Sequence, residues 1–151
     1  MTTERDNVSG SQKLRLLRVD SLTLAVAEEN VLTITNWTEP TPLPFAAPSV
    51  LGVVSLVGRM FTVIDIATLL DHNNTQQRCS IVALRGDEQL ALAVDEPLET
   101  LELAGDDVGQ TVGADVIQAA IPVDGKEVLL LDTRSLFAAA IRGKERRRRR
   151  L

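Results

Sequence analysis

One thirteen-residue pattern occurs twice without a gap, and this repetition constrains the fold more than any other feature of the chain. Residues 58–70 read GRMFTVIDIATLL and residues 125–137 read GKEVLLLDTRSLF, the starting glycines Gly58 and Gly125 lying 67 positions apart. In each copy a Gly and a basic residue precede a short apolar run, and the run ends at an Asp. Aspartate is a good helix N-cap, because its carboxylate accepts from the free N–H groups of the first turn and complements the dipole there. Asp65 and Asp132 are therefore predicted to end strands and to cap short helices, over Ile66–Leu70 and over 133–141. The competing reading is an acidic pair for catalysis.

Between the copies the chain is written in short apolar runs separated by turn chemistry. Leu14–Val19 and Leu22–Val26 flank Asp20-Ser21, and Val50–Val57 and Met60–Ile64 flank Gly58-Arg59. Ser80–Arg85 and Gln89–Val94 flank Gly86-Asp87, and Val116–Val123 and Lys126–Leu131 flank Asp124-Gly125, a strong hairpin signal. Residues 27–30 suit a single helical turn, and the alternating, β-branched Val31–Thr35 suits a strand. Residues 39–48 carry four of the six prolines and are predicted to be an extended connector, since proline cannot donate to a ladder. Pro97 is predicted to interrupt a run that resumes at Leu98–Leu103. Many short strands, several hairpins and only short helices define an all-β fold, and the echo argues for two similar small barrels packed together.

The chain has 151 residues, enough for one unit or for two small lobes sharing a core. Only three Phe and one Trp are aromatic, so the core must be built from Val, Leu, Ile and Ala. The lone Cys79, set in an apolar run where a small buried thiol is expected, cannot form an intramolecular disulfide, which fits a reducing intracellular compartment. No apolar stretch approaches the ~20 residues of a membrane span, and the polar start does not resemble a signal peptide.

Catalytic constellations are sparse. His72 is the single histidine and stands in a polar loop. No close set of His, Cys or carboxylates marks a metal site, and Asp106-Asp107 lacks EF-hand spacing. Gly105, Gly109 and Gly113 lack the spacing of a phosphate loop. No catalytic residue, metal or cofactor is expected, and a binding module is the simplest reading.

Charge is distributed unevenly. Of the 16 basic and 21 acidic residues, seven basic and one acidic lie in 142–151, giving that tail +6 and leaving residues 1–141 at −11. The run Arg146–Arg150 suits phosphates of a nucleic acid or an anionic membrane surface, through contacts that weaken with salt. It equally suits a solvated helix end, the acidic body of the same protein or an acidic partner. A small β-barrel protein binding nucleic acid or membrane through this tail is the alternative function, opposed by the acidic body.

VLGVVSLVGRMFTVIDIATLL, residues 50–70, resembles the central signature of CheW-like domains, in which a Pro-rich connector leads to a Gly-containing strand and turn and then to a strand ending in Val-Ile-Asp. The opening hairpin, CSIVALRGDEQLALAVDEPLETLEL and the closing DGKEVLLLDTRSLF follow in family order. The resemblance implies two intertwined five-stranded SH3-like β-barrel lobes over residues 13–141, between a disordered leader, 1–12, and the basic tail, 142–151. It also implies a cytoplasmic, non-enzymatic adaptor, without a small-molecule substrate, that links chemoreceptors to a CheA-type histidine kinase. Gly52 and Gly58 match the family's glycines. Ser55, Val57 and Thr62 stand where Asn, Arg and Pro are usual, and Thr33 stands where Glu is frequent. The partner-binding residues implied are Val31, Thr33, Ile34, Gly52, Val53, Val57 and Gly58, with Arg59 at the rim, and the loss of both the Glu and the Arg implies an altered receptor-reading surface.

Overall fold

Short apolar runs broken by tight turns satisfy their backbone groups by pairing laterally, and the computed structural model of the chain shows eleven strands among its described residues, 11–70, 78–104, 110–111 and 116–140. β1 (Ser11–Val19) and β2 (Leu22–Ala27) form the first hairpin. A 3-10 turn, Glu28–Asn30, precedes β3 (Val31–Asn36). β4 (Val50–Leu56) and β5 (Arg59–Asp65) lead into α1 (Ile66–Leu69). β6 (Ser80–Leu84) and β7 (Leu90–Val94) are followed by β8 (Glu96–Ala104) and the two-residue β9 (Gln110–Thr111). β10 (Ile117–Val123) and β11 (Lys126–Leu131) precede a 3-10 turn, Thr133–Ser135, that continues into helical residues 136–140, α2.

The structure corrects several expectations. Cys79 is exposed, just ahead of β6, and is not the buried thiol its apolar run suggests. The β4–β5 turn is Val57-Gly58, with Leu56 opposite Arg59, and not Gly58-Arg59. A two-residue type I′ loop requires positive φ at both central positions, and Val57 and Gly58 have φ of +42° and +76°. Pro97 does not interrupt a run. It lies inside β8, opposite Leu17, where it is tolerated because β8 is the last strand of its sheet.

The strands form two sheets, ordered β8-β1-β2-β11-β10-β9 and β3-β6-β7-β5-β4. The chain starts in the first, leaves it after β2, builds all of the second, and returns after β7. With β9 set aside, the two share one plan. A hairpin (β10–β11 or β4–β5) joins by a parallel ladder to one strand of a second hairpin (β2 or β7), whose other strand (β1 or β6) pairs with a single strand (β8 or β3). The first lobe is thus a circular permutation of the second, with its second hairpin moved to the front of the chain. The repeated sequence is the repeated hairpin, one copy per lobe.

Among the described residues no ladder joins the two end strands of either sheet. In the second lobe the Pro-rich connector spans that gap. The Trp37 N–H donates to the Cys79 carbonyl at 3.0 Å beside β6, and Thr41 exchanges two bonds with Val53 of β4, at 2.8 and 2.9 Å.

Three apolar clusters fill the molecule. Leu14, Leu16, Ala25, Ile121 and Val128 belong to the interior of the first lobe, and Val54, Phe61, Ile81, Ala83, Ala91 and Ala93 to that of the second. Leu17, Leu24, Val26, Val82, Leu84, Leu90, Leu92 and Val94 face a third cluster with Ile66, Leu131, Leu136 and Ala140, shared by both lobes. Because successive side chains point to opposite faces, β6 and β7 are buried on both. β7 places Leu90, Leu92 and Val94 toward the shared core and the small Ala91 and Ala93 toward its own lobe.

Polar ties fasten the places where the chain changes lobe. Arg15 donates from Nε and Nη2 to the two oxygens of Glu28, at 3.0 and 3.1 Å, and from Nη1 to the Leu98 carbonyl at 3.3 Å, joining β1, the first 3-10 turn and β8. At the second crossing, the Asp95 N–H donates to the Arg18 carbonyl, and its Oδ2 accepts from the Asp20 N–H at 2.7 Å.

At Gly52, φ is +146° and a Cβ would stand 2.2 Å from the Thr41 carbonyl oxygen, so Gly52→Ala must push the connector off β4. Urea unfolding should show a loss of about 2 kcal/mol or more, against about 1 kcal/mol for Gly125→Ala, whose site is open. Separately, the hydrogen bonds from Arg15, opposed by partial burial, hold the Glu28 carboxyl below its usual 4.5. A depressed acid contributes fully above its unfolded value and loses that contribution as pH falls through the folded one. The urea midpoint of the wild type should therefore drop between about pH 5 and pH 3 by more than that of Glu28→Gln.

Candidate partner-binding surface

The β4–β5 hairpin sorts its side chains by the pleat. Val54 and Phe61 stand opposite one another and point inward, at 4% and 1% exposure. Ser55 and Met60 form the next pair and point out, and Val53 and Thr62 form a half-buried outer pair below them. At the tip stands Val57, 63% exposed, with Met60 at 55%. A valine at φ +42° is costly, because a β-branched side chain crowds the left-handed backbone.

The first lobe provides an internal comparison. Its hairpin tip is Asp124-Gly125, with φ of +52° and +80°, and the partners at the level of Ser55 and Met60 are Pro122 and Glu127. One tip therefore presents Asp124 and Glu127 to solvent and uses a residue that tolerates the turn. The other presents Val57 and Met60 and uses one that does not.

The residues singled out in the sequence fall into two groups. Gly52, Val53, Val57, Gly58 and Arg59 come together on one hairpin, with Gly52 buried under the connector and Arg59 exposed beside the turn. Val31, Thr33 and Ile34 lie on β3, at the other end of that sheet's ladder order, opposite Leu84, Ala83 and Val82. They are half-buried, and Val31 and Ile34 pack on the shared core. Met60 joins the hairpin surface without having been legible in the sequence. It pairs with the exposed Ser55 next to the turn, on the outward face of the hairpin.

The two repeated aspartates have diverged. Asp132 caps as expected, accepting from the Arg134 N–H at 3.1 Å and from Ser135 Oγ at 3.0 Å. Asp65 occupies the N-cap position of α1 but accepts no backbone N–H, so its reading as a backbone cap is corrected. It keeps only the equivalent hydroxyl contact, from Thr68 Oγ1 at 2.7 Å, and takes Arg78 Nε at 3.2 Å and Nη2 at 2.5 Å. Asp65 is 2% exposed. With both oxygens engaged and no access to solvent, it is in no position to act as a general acid or base. The hydrogen bonding of Arg78 to Asp65 raises the guanidinium further above its usual value. His72 lies outside the described residues.

Known proteins share this two-lobed plan. The CheW-like domain model matches residues 13–140. The chain belongs to the CheW-like domain family. Among curated relatives, a chemotaxis protein CheW of Rhizobium meliloti (strain 1021) is 26% identical over 138 residues, covering 85% of this chain and 89% of the relative. A chemotaxis protein CheW of Thermotoga maritima is 26% identical over 120 residues, covering 76% and 80%. The crystal structure of the scaffolding protein TtCheW from Thermoanaerobacter tengcongensis superposes with a TM-score of 0.73 at 13% identity, covering 80% of this chain and 88% of that one, a likeness of fold. Val57, where the resemblance implies an Arg, is the exposed tip residue of the β4–β5 turn.

Removing Arg78 would leave the buried Asp65 carboxylate without its counter-charge. Arg78→Met should cost about 3–5 kcal/mol by urea unfolding, and Asp65→Leu with Arg78→Met should recover most of it, because the apolar pair buries no orphan charge.

Proposed function

We propose that this CheW-like chain is a cytoplasmic, non-enzymatic adaptor that couples chemoreceptors to a CheA-type histidine kinase. The β4–β5 hairpin is its principal contact. Val57 and Met60 supply the apolar centre, Val53 extends it down the hairpin and Arg59 stands at its rim. Gly52 and Gly58 fix the hairpin's shape, and Val31, Thr33 and Ile34 of β3 contribute the groove side of the receptor-reading surface. What carries the reading is the contrast between the two tips. A valine at φ +42° with 63% of its surface in water lowers both solubility and turn stability, while the equivalent turn in the other lobe uses Asp124. Exposed apolar groups of this kind mark protein contacts, and local strain gathers at functional sites.

Stability and binding should therefore move in opposite directions at this residue. Val57→Asn installs the favoured Asn-Gly type I′ turn and should stabilise by about 1 kcal/mol, yet weaken co-purification of a CheA-type kinase or of a receptor. Val57→Glu should abolish that co-purification and leave the far-ultraviolet circular dichroism unchanged. Retention of both partners by both variants would remove the hairpin from the interface.

A further inference from the structure

A second site lies on the connector side of the second lobe, where Trp37, Glu39, Pro40, Pro42, Leu51 and Arg78 surround a cavity of about 300 Å³. Trp37 is the only tryptophan of the chain. Its Nε1–H donates to Glu39 Oε1 at 3.3 Å, which fixes a carboxylate against the indole. Two prolines and Leu51 supply rigid apolar wall. Charge decides what such a cavity accepts. The Nε and Nη2 edge of Arg78 is spent on Asp65, and Asp95 and Glu39 also act on the same guanidinium. Of the two charged residues that line the cavity, Arg78 is thus offset by the buried Asp65, and the Glu39 carboxylate is left to face an incoming cation.

An aromatic face, a carboxylate at its edge and apolar walls for an aliphatic stem together suit a planar cation on a flexible chain. We infer that this cavity receives an arginine side chain, and that its occupant is the chain's own C-terminal run, Arg146–Arg150. The charge balance supports this occupant, since residues 142–151 carry +6 against −11 for the rest of the chain. Reach supports it as well. α2 is described to residue 140, where Ala140 is buried in the shared core. At about 3.3 Å per residue, the six to ten positions onward to Arg146 and Arg150 extend roughly 20 to 33 Å, most of the breadth of a protein this size. This inference is independent of the adaptor reading.

Trp37 emission in the full-length chain tests it. At low ionic strength the wild type should differ from a variant with all five of Arg146–Arg150 changed to Ser, and the two should converge near 0.5–1 M salt, about where exposed charges are screened. A peptide of residues 146–151, added to the serine variant, should restore the wild-type emission along a saturable curve, and a lysine version should bind more weakly. Glu39→Gln in the serine variant should raise the peptide Kd about two- to fivefold. Coincident emission of wild type and serine variant at every salt concentration would overturn the inference. So would a peptide titration indifferent to Glu39→Gln. It would equally be overturned if the five arginines govern only binding to duplex DNA or phosphatidylserine vesicles and leave Trp37 untouched.

Discussion

The apolar layer shared between the lobes holds the architecture together. Leu24 and Val26 from β2, Val82 and Leu84 from β6, and Leu90, Leu92 and Val94 from β7 leave water only by packing on one another and on α1 and α2. Each of these strands also serves the interior of its own lobe with the alternate residues. A strand buried on both faces has no polar face to offer, which is why these segments read as continuous apolar runs. The shared layer also explains the threading. One lobe is built from both ends of the described chain, through the parallel ladder that sets Val128, Leu129 and Leu130 beside Thr23, Leu24 and Ala25, so the contiguous second lobe lies in sequence between the two halves of the first.

Duplication of one plan frees each copy to carry different work. At the strand ends, Asp65 and Asp132 keep the same hydroxyl contact three residues on, from Thr68 and Ser135. Asp132 adds a backbone cap, whereas Asp65 turns inward to a guanidinium. At the hairpin tips the divergence runs outward, with acidic Asp124 and Glu127 in one lobe and apolar Val57 and Met60 in the other. The copy with the easier turn presents two carboxylates to water. The copy with the costly turn is the one on which the adaptor reading rests.

Much of this architecture is legible in the chain. All four hairpins, the strand at Val31, the connector and the two Asp-led helices follow from periodicity and turn chemistry, and the central signature places the chain among CheW-like domains. The differences share a cause. Local preference sets the turn one residue past Val57-Gly58, because valine is the last residue it would put at positive φ, and it reads Pro97 as a break because a place at the end of a sheet is a tertiary fact. Met60 reads in the sequence as one more residue of an apolar run, and only the folded hairpin shows it on the outward face beside the tip.

The local elements, the twofold repetition and the charge imbalance between body and tail are written in the chain, because each is carried by residues close together along it. Which hairpins share a lobe, that one lobe is the other permuted, that Asp65 belongs to Arg78, and that Trp37, Glu39 and Arg78 meet around one cavity are settled only when the chain is folded. Those are pairings between distant segments, fixed by which faces must be buried together in the shared core.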